Sequence, residues 1–176
     1  MRNPIETERL LLRELEFSDA DGMFELDSNP NVHLFLGNNP VKNIQESVDM
    51  IENIQKQYVD FGTGRWAVVL KETNEFIGWS GIKYITYEIN NHKEFYELGY
   101  RFIEKHWGKG YALEAGKAFV EHAFNELKAK TLYAYADAGN EKSRKILEKL
   151  GFRFVNSFEY DEELEVWYEL KRPEND

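Results

Sequence analysis

The chain has 176 residues and no cysteine, and 42% of its residues are apolar. That length fits one domain with a sizeable core, and that apolar share is too high for a disordered chain. The missing cysteines exclude disulfides, thiolate zinc sites and cysteine nucleophiles; a formal charge of −10, with no Lys/Arg run longer than two, argues against a nucleic-acid-binding face.

The first residues, Met1 to Glu6, lack the apolar run of a signal peptide, and no stretch reaches the ~20 apolar residues of a membrane span. A cytoplasmic protein is expected, with no membrane and no direct nucleic-acid partner. The acidity fits plain solubility and is also compatible with steering a cationic substrate. Twelve Phe, ten Tyr and four Trp favour a strand-rich core or an aromatic-lined pocket.

In chain order, Arg9 to Leu15 reads as a first strand, its leucine run suggesting burial on both faces. Ser18-Asp19-Ala20-Asp21 has the pattern of a helix start, and Met23, Phe24 and Leu26 give that helix its apolar side. Asn29-Pro30 ends it, and residues 31–40 read as a loop with a helical turn. A second helix starts at Asn43, with Glu46 three residues later. Ile44, Val48, Ile51, Ile54 and Tyr58 line one face, and Phe61-Gly62-Thr63-Gly64 stops it.

Arg65–Leu70 and Phe76–Ile82 form a hairpin about Glu72-Thr73-Asn74-Glu75, with Tyr84 to Tyr87 read as an extension. Trp66, Val68 and Leu70 share one face. Gly78 and Gly81 mark a bulge or a close backbone approach. After a polar turn at Asn90-Asn91, Phe95–Ile103 is the next antiparallel strand. A helix over about Ala112–Lys128 follows, with Glu114, Lys117, Glu121 and Lys128 on its polar side. Thr131–Ala136 is a strand, and its helical crossover makes it parallel to Phe95–Ile103. Asn140 opens a short helix that Gly151 closes. Phe152–Tyr160 and Glu163–Leu170 form a last hairpin turning at Asp161-Glu162, and Arg172 to Asp176 is a polar tail. There is no internal repeat and no linker, so residues 1–176 read as one domain.

Everything converges on Trp107-Gly108-Lys109-Gly110-Tyr111-Ala112, where a strand hands over to a helix. The first turn of a helix carries unpaired N–H groups and the positive end of the helix dipole, so it can hold a phosphate. Taken alone, the two glycines fit a bare strand–helix turn equally well. A dinucleotide fold is disfavoured, because Gly108-Lys109-Gly110-Tyr111-Ala112-Leu113 lacks the third small residue and the opening βαβ unit is missing.

The order of elements, with three stretches in it, resembles the GNAT superfamily of N-acetyltransferases. Within it the chain looks most like the group that acetylates the N-terminal amine of ribosomal proteins. The stretches are Ile5 to Arg13; Glu97-Leu98-Gly99-Tyr100 with Trp107 to Ala115; and Asn140 to Phe152. The resemblance implies an α+β GNAT fold: a mostly antiparallel sheet of about seven strands with helices on both faces. It also implies acetyl-CoA as cosubstrate, with its pyrophosphate on the N–H groups of Trp107, Gly108, Lys109, Gly110, Tyr111 and Ala112. Trp107 stands where the superfamily has Gln or Arg, which removes a side-chain donor. Phe102 and Ile103 would pair with the pantetheine arm as an added strand does, and Asn140 would reach the arm's amides.

The implied reaction is acetyl transfer to a primary amine by direct attack in a ternary complex. A lysine-like amine, with pKa about 10.4, must lose a proton first, whereas an α-amine, at about 7.7–8.0, partly has. Glu97 is the candidate base; its other reading is a solvent-facing or salt-bridged strand residue. Its mid-strand position among aromatic residues favours a raised pKa. Ser143, in the first turn of the late helix, is the candidate donor to the departing thiolate; its other reading is support for the Asn140 cap. The superfamily often has a tyrosine in this helix, but none lies between Asn140 and Leu150, and Tyr133 and Tyr135 are alternatives. Trp79, Tyr84, Tyr100 and Trp167 are candidates for an acceptor pocket or for core. The four histidines show no paired ligand spacing, so no metal is expected. The acceptor is read as a protein N-terminus such as that of a ribosomal protein. A polyamine, amino acid or aminoglycoside is the alternative, as is a non-catalytic acyl-CoA-binding module. A monomer and a homodimer are both compatible.

Overall fold

A computed structural model describes residues 2–173. The leucine run becomes strand β2, Leu10–Glu14, with Leu10 and Leu12 fully buried and Leu11 half-buried. A two-residue strand, β1 (Ile5–Glu6), pairs antiparallel with it; this short pairing is not visible in the sequence pattern. The expected helix start at Ser18 does not form. Asp19 instead accepts from the Glu16 N–H at 2.9 Å and takes both terminal nitrogens of Arg13 at 2.8 Å. That pull toward the strand gives a 3-10 turn at Phe17–Asp19 before helix α1, Ala20–Asp27. A further 3-10 turn covers Val32–Phe35.

Helix α2, Ile44–Phe61, starts and stops as its local signals dictate. Asn43 accepts from the Glu46 N–H at 3.3 Å, and Gly62 closes the helix at φ 74°. Ile51, Ile54 and Tyr58 are buried, while Ile44 stays exposed. Strands β3 (Arg65–Leu70) and β4 (Glu75–Ile85) form the expected hairpin, with β4 ending two residues before Tyr87. β4 pairs along its length with β5, Phe95–Phe102. At Gly78 a Cβ would lie 2.2 Å from the Arg101 carbonyl oxygen, which explains the glycine inside a buried strand.

Helix α3, Tyr111–Asn125, stops short of the expected Lys128, because Lys128 turns to φ 56° and Leu127 folds back onto the His122 carbonyl. Strand β6, Thr131–Asp137, runs parallel to β5. Helix α4 covers Glu141–Lys149. Strands β7 (Arg153–Tyr160) and β8 (Glu163–Lys171) meet at Asp161-Glu162, both at positive φ, and β8 inserts beside β6. Of the expected polar tail, residues 174–176 lie outside the described residues.

The eight strands form one sheet in the order β1-β2-β3-β4-β5-β6-β8-β7, antiparallel except for β5–β6. Alternation separates its two faces. Trp66 points to α3 and meets Phe119 edge-on at 5.7 Å. Ala67 and its partner Trp79 point the other way, where Trp79 packs with Leu26 of α1 and Val32. Leu98, Phe102, Leu132, Ala134 and Val166 continue the α3 side as one core. No helix among the described residues is long and apolar enough to cross a membrane.

Tyr58 ties α2 to the sheet. Its hydroxyl accepts from the Leu15 N–H at 3.1 Å and donates to the Arg65 carbonyl. Tyr58→Phe leaves both groups unpartnered in a buried place, and a urea melt is expected to show a loss of about 1–3 kcal/mol. A loss near zero would mean that these bonds do not hold the helix.

Candidate active site

The pairing of β5 with β6 covers Tyr96 with Leu132 and Glu97 with Tyr133, and stops there. Each strand keeps its other neighbour: β5 stays on β4 to Phe102, and β6 stays on β8 to Asp137. The sheet therefore opens in its middle. The Ile103 N–H donates to the Ile77 carbonyl at 3.0 Å. By the two-residue alternation of an antiparallel ladder, Leu98, Tyr100 and Phe102 turn their N–H and C=O groups toward the opening. An unpaired strand edge of this kind accepts an extended, amide-bearing chain.

The positions singled out for that pairing are partly occupied. The Phe102 carbonyl accepts from the Trp107 indole N–H at 2.7 Å, and both backbone groups of Ile103 are used, by Ile77 and by the His106 N–H. The free edge thus lies upstream, at Leu98, Tyr100 and the Phe102 N–H. Trp107 does supply a donor, but it spends that donor on the strand end.

Gly108 and Gly110 adopt φ 71° and 82°, and Gly110 is the residue before the first turn of α3. The first bond back to that turn is from the Glu114 N–H to the Gly110 carbonyl, which leaves the N–H groups of Tyr111, Ala112 and Leu113 without helical partners. Gly108, Lys109 and Gly110 are exposed, and open space surrounds the place of a Gly108 Cβ. The turn suits a phosphate.

Its position is fixed from the far end of the chain. Glu114 lies on no free polar face; it accepts from the Thr7 hydroxyl at 2.6 Å, the Arg9 N–H at 2.8 Å and the Arg9 Nε at 2.7 Å. Burial works against this carboxylate, but those hydrogen bonds hold it below its ordinary range. Arg9 also donates to the Lys109 carbonyl at 2.9 Å and stacks on Tyr111 at 4.5 Å.

The second wall of the opening is the start of α4. Asn140 caps it, its Oδ1 accepting from the Ser143 N–H at 3.2 Å, which leaves the amide hydrogens to other partners. Tyr100 reaches across from β5, its hydroxyl 3.0 Å from the Ser143 carbonyl and 3.1 Å from the Ser143 Oγ. Asn140, Ser143 and the glycine turn therefore flank one opening.

Glu97 sits at the apex, on the face turned away from α3, and is 6% exposed. Its setting is not the uncompensated aromatic wall that its neighbours in sequence suggest. Arg65 pairs with its carboxylate and also donates to the Glu97 carbonyl at 3.0 Å and the Gly81 carbonyl at 2.8 Å. Its guanidinium crosses Gly99, where a Cβ would fall 2.5 Å from Nη2. Tyr135, with burial first and the Glu97 charge second, has its hydroxyl held well above the usual tyrosine range. Arg65 escaped sequence reasoning, because its place opposite Gly81, with Gly99 on the next strand, is set by register.

Beyond Arg65, Trp79 is stacked by Arg65 at 5.2 Å and Arg101 at 5.1 Å, and Arg101 pairs with the buried Asp27 at 2.6 Å. Burial and the Arg101 charge push His33 below its ordinary range. On the other side of Glu97 the same face carries Tyr133, Tyr135 and Asp137 of β6, with Trp167 and Glu165 of β8 beside them. Trp167 stacks on Tyr135 at 5.9 Å in an aromatic cluster. Tyr84 contacts Phe61 and Tyr96.

Burial, with Asp137 and Glu163 adding to it, pushes Glu165 from 4.5 up to about 7. The folded chain then holds this proton more tightly than the unfolded one, so stability falls as pH rises from 4.5 through 7. Glu165→Gln removes the ionisation. It is expected to raise the melting temperature above pH 7 and to leave it unchanged near pH 4.5. An equal shift at both pH values would refute the assignment.

Residues 9–153 match the family model of the acetyltransferase (GNAT) domain. The uncharacterized N-acetyltransferase p20 of Bacillus licheniformis is 33% identical over 147 residues, covering 84% of this chain and 80% of p20. A GNAT-family acetyltransferase from Bacillus anthracis superposes with a TM-score of 0.79 at 25% identity, covering 96% of this chain and 98% of that one. RimL, a ribosomal L7/L12 alpha-N-protein acetyltransferase solved with coenzyme A, superposes with a TM-score of 0.80 over 96% of this chain and 98% of its own; at 16% identity it shows the fold alone. With the opened sheet and the glycine turn at the head of α3, these matches establish that the chain belongs to the GNAT family of acetyl-CoA-dependent N-acetyltransferases.

Proposed function

We propose that the chain acetylates the α-amine of a protein N-terminus, such as that of a ribosomal protein, by direct attack in a ternary complex. The observation that carries this is the Glu97–Arg65 pair at the apex of the opening. Arg65 holds this carboxylate in place beside the opening, where an incoming amine would meet it. An α-amine, with pKa about 7.7–8.0, is already partly neutral at neutral pH and asks least of such a base, whereas a lysine-like amine near 10.4 is almost wholly protonated. A sequence relative supports the choice in kind: the putative ribosomal N-acetyltransferase YdaF of Bacillus subtilis is 27% identical over 180 residues, covering 95% of this chain and 93% of its own.

In this reading the N–H groups from Gly108 to Ala112 hold the pyrophosphate of acetyl-CoA, and the Leu98–Phe102 edge with Asn140 holds its arm. Acetyl-CoA would supply the thioester carbonyl that the amine attacks; the C–S bond then breaks, the acetyl group stays on the amine, and CoA leaves as the thiolate. Glu97 takes the amine proton, directly or through water. Ser143 offers its hydroxyl to the sulfur at the positive end of α4. The acceptor enters on the Glu97 face, between Trp79 and Tyr135. A small cationic amine is the second reading, favoured by the paired carboxylates of Asp137 and Glu165 on that face.

An acceptor screen that follows CoA release separates the two. Ribosomal-protein N-terminal peptides are expected to give the highest kcat/KM; a preference for spermidine or an aminoglycoside would move the assignment to small amines. Glu97→Gln should lower kcat by about 10²–10⁴-fold, and full activity at neutral pH would remove Glu97 as the base. Gly110→Asp puts a carboxylate where the phosphate is held, and calorimetry should show CoA affinity falling by about tenfold or more. Unchanged affinity would mean that the cofactor lies elsewhere.

A further inference from the structure

The late helix carries no tyrosine, and its buried Leu147 has no hydroxyl to offer. A tyrosine hydroxyl reaches the helix all the same, from the opposite wall. Tyr100 stands on β5, on the face turned to α3 and α4, at a position whose backbone faces the opening. Its ring packs against the core of that face, and its hydroxyl meets the Ser143 carbonyl at 3.0 Å and the Ser143 Oγ at 3.1 Å.

We propose that Tyr100 is a positioning residue for the thiolate-binding hydroxyl of Ser143. This rests on the reading of Ser143 given above. The near-equal distances allow two arrangements of the same two protons. In one, Tyr100 donates to the Ser143 carbonyl while the Ser143 hydroxyl donates back to Tyr100. In the other, Tyr100 turns its proton to the Ser143 Oγ, and the serine proton is free to point into the opening.

The second arrangement is favoured when negative charge develops on a sulfur there. A hydroxyl that accepts one hydrogen bond donates a stronger one. The switch needs two hydroxyl rotations, no side-chain movement and no net proton transfer. Burial holds the Tyr100 hydroxyl well above the usual tyrosine range, so it remains a donor throughout. The Ser143 backbone is fixed by the Asn140 cap, so the serine hydroxyl swings about an anchored pivot. An interaction that forms only as the thiolate forms raises kcat and leaves KM alone.

The test is a double-mutant cycle. Tyr100→Phe is expected to lower kcat about fivefold to tenfold, the worth of one hydrogen bond, with KM for acetyl-CoA within about twofold of wild type. In a Ser143→Ala background the same substitution should do nothing further. A second readout needs no turnover: the ultraviolet absorbance of the thiolate in bound CoA. Its titration is expected to move to higher pH in Tyr100→Phe. Impaired Ser143→Ala with additive effects, or thiol titrations that coincide, would overturn the role of Tyr100 alone. A silent Ser143→Ala would overturn it together with the reading of Ser143.

Discussion

The structure depends on one decision of the backbone, the parting of β5 and β6 after the Glu97–Tyr133 rung. A sheet interrupted in its middle leaves N–H and C=O groups without partners in a place where burial would penalise them. Two continuous ladders make the interruption tolerable. β5 is registered on β4 from Phe95 to Phe102, and β6 on β8 from Thr131 to Asp137. Neither strand needs the other to stay straight. The exposed edge is then a template for a ligand that behaves as a strand. The constraint explains the detail around it: Trp107 and His106 quench the groups at the far end of β5, so that the open edge has a defined limit.

Charge on the far face is handled by pairing. Glu97, Arg65, Arg101 and Asp27 sit in or beside the core as two ion pairs, Glu97–Arg65 and Arg101–Asp27, with both guanidiniums against the Trp79 ring. Removing one partner of such a pair strands the other, at a cost of about 3–5 kcal/mol for a buried pair. The arrangement therefore favours geometry over adaptability. Gly99 belongs to it, since any side chain there would displace the guanidinium that holds Glu97. The polar end of this series is less complete. Asp27 Oδ2 and both ring nitrogens of His33 have no hydrogen-bond partner among the described residues.

The local parts of this molecule were legible in the sequence. Asn43 with Glu46, Gly62 and the Asp161-Glu162 turn each act over a few residues, and each formed as its chemistry requires. The parallel β5–β6 pair followed from a crossover rule. The expected fold and cosubstrate came from three short stretches together. The two-residue β1 and the length of the β5–β6 pairing were not legible, because no local period encodes them. Longer-range pairings were also missed. Glu114 looked like a surface residue because its helical position is polar, yet Thr7 and Arg9 claim it from over a hundred residues away. Ser18 looked like a cap until Asp19 was drawn to Arg13. The salt bridge read as one alternative for Glu97 had no nameable partner until the register carried Arg65 over Gly99. In each case the missing information was register and side-chain reach.

The two faces of the sheet then take the two halves of the proposed chemistry. Ser143 and Tyr100 belong to the helix face, and Glu97 and Arg65 to the opposite one. In that proposal, proton removal from the amine and charge stabilisation at the sulfur would occur on opposite sides of the sheet. The opening joins the two faces, so an acceptor held against Glu97 would approach the thioester through the gap while the cosubstrate is still in place. The chain has no cysteine to carry an acetyl group between the two, and Ser143 contacts the helix face, across the sheet from Glu97. A relay through the enzyme would have to cross the sheet twice. The proposed direct transfer would cross it once, at the apex, where the last shared rung fixes the positions of both strands.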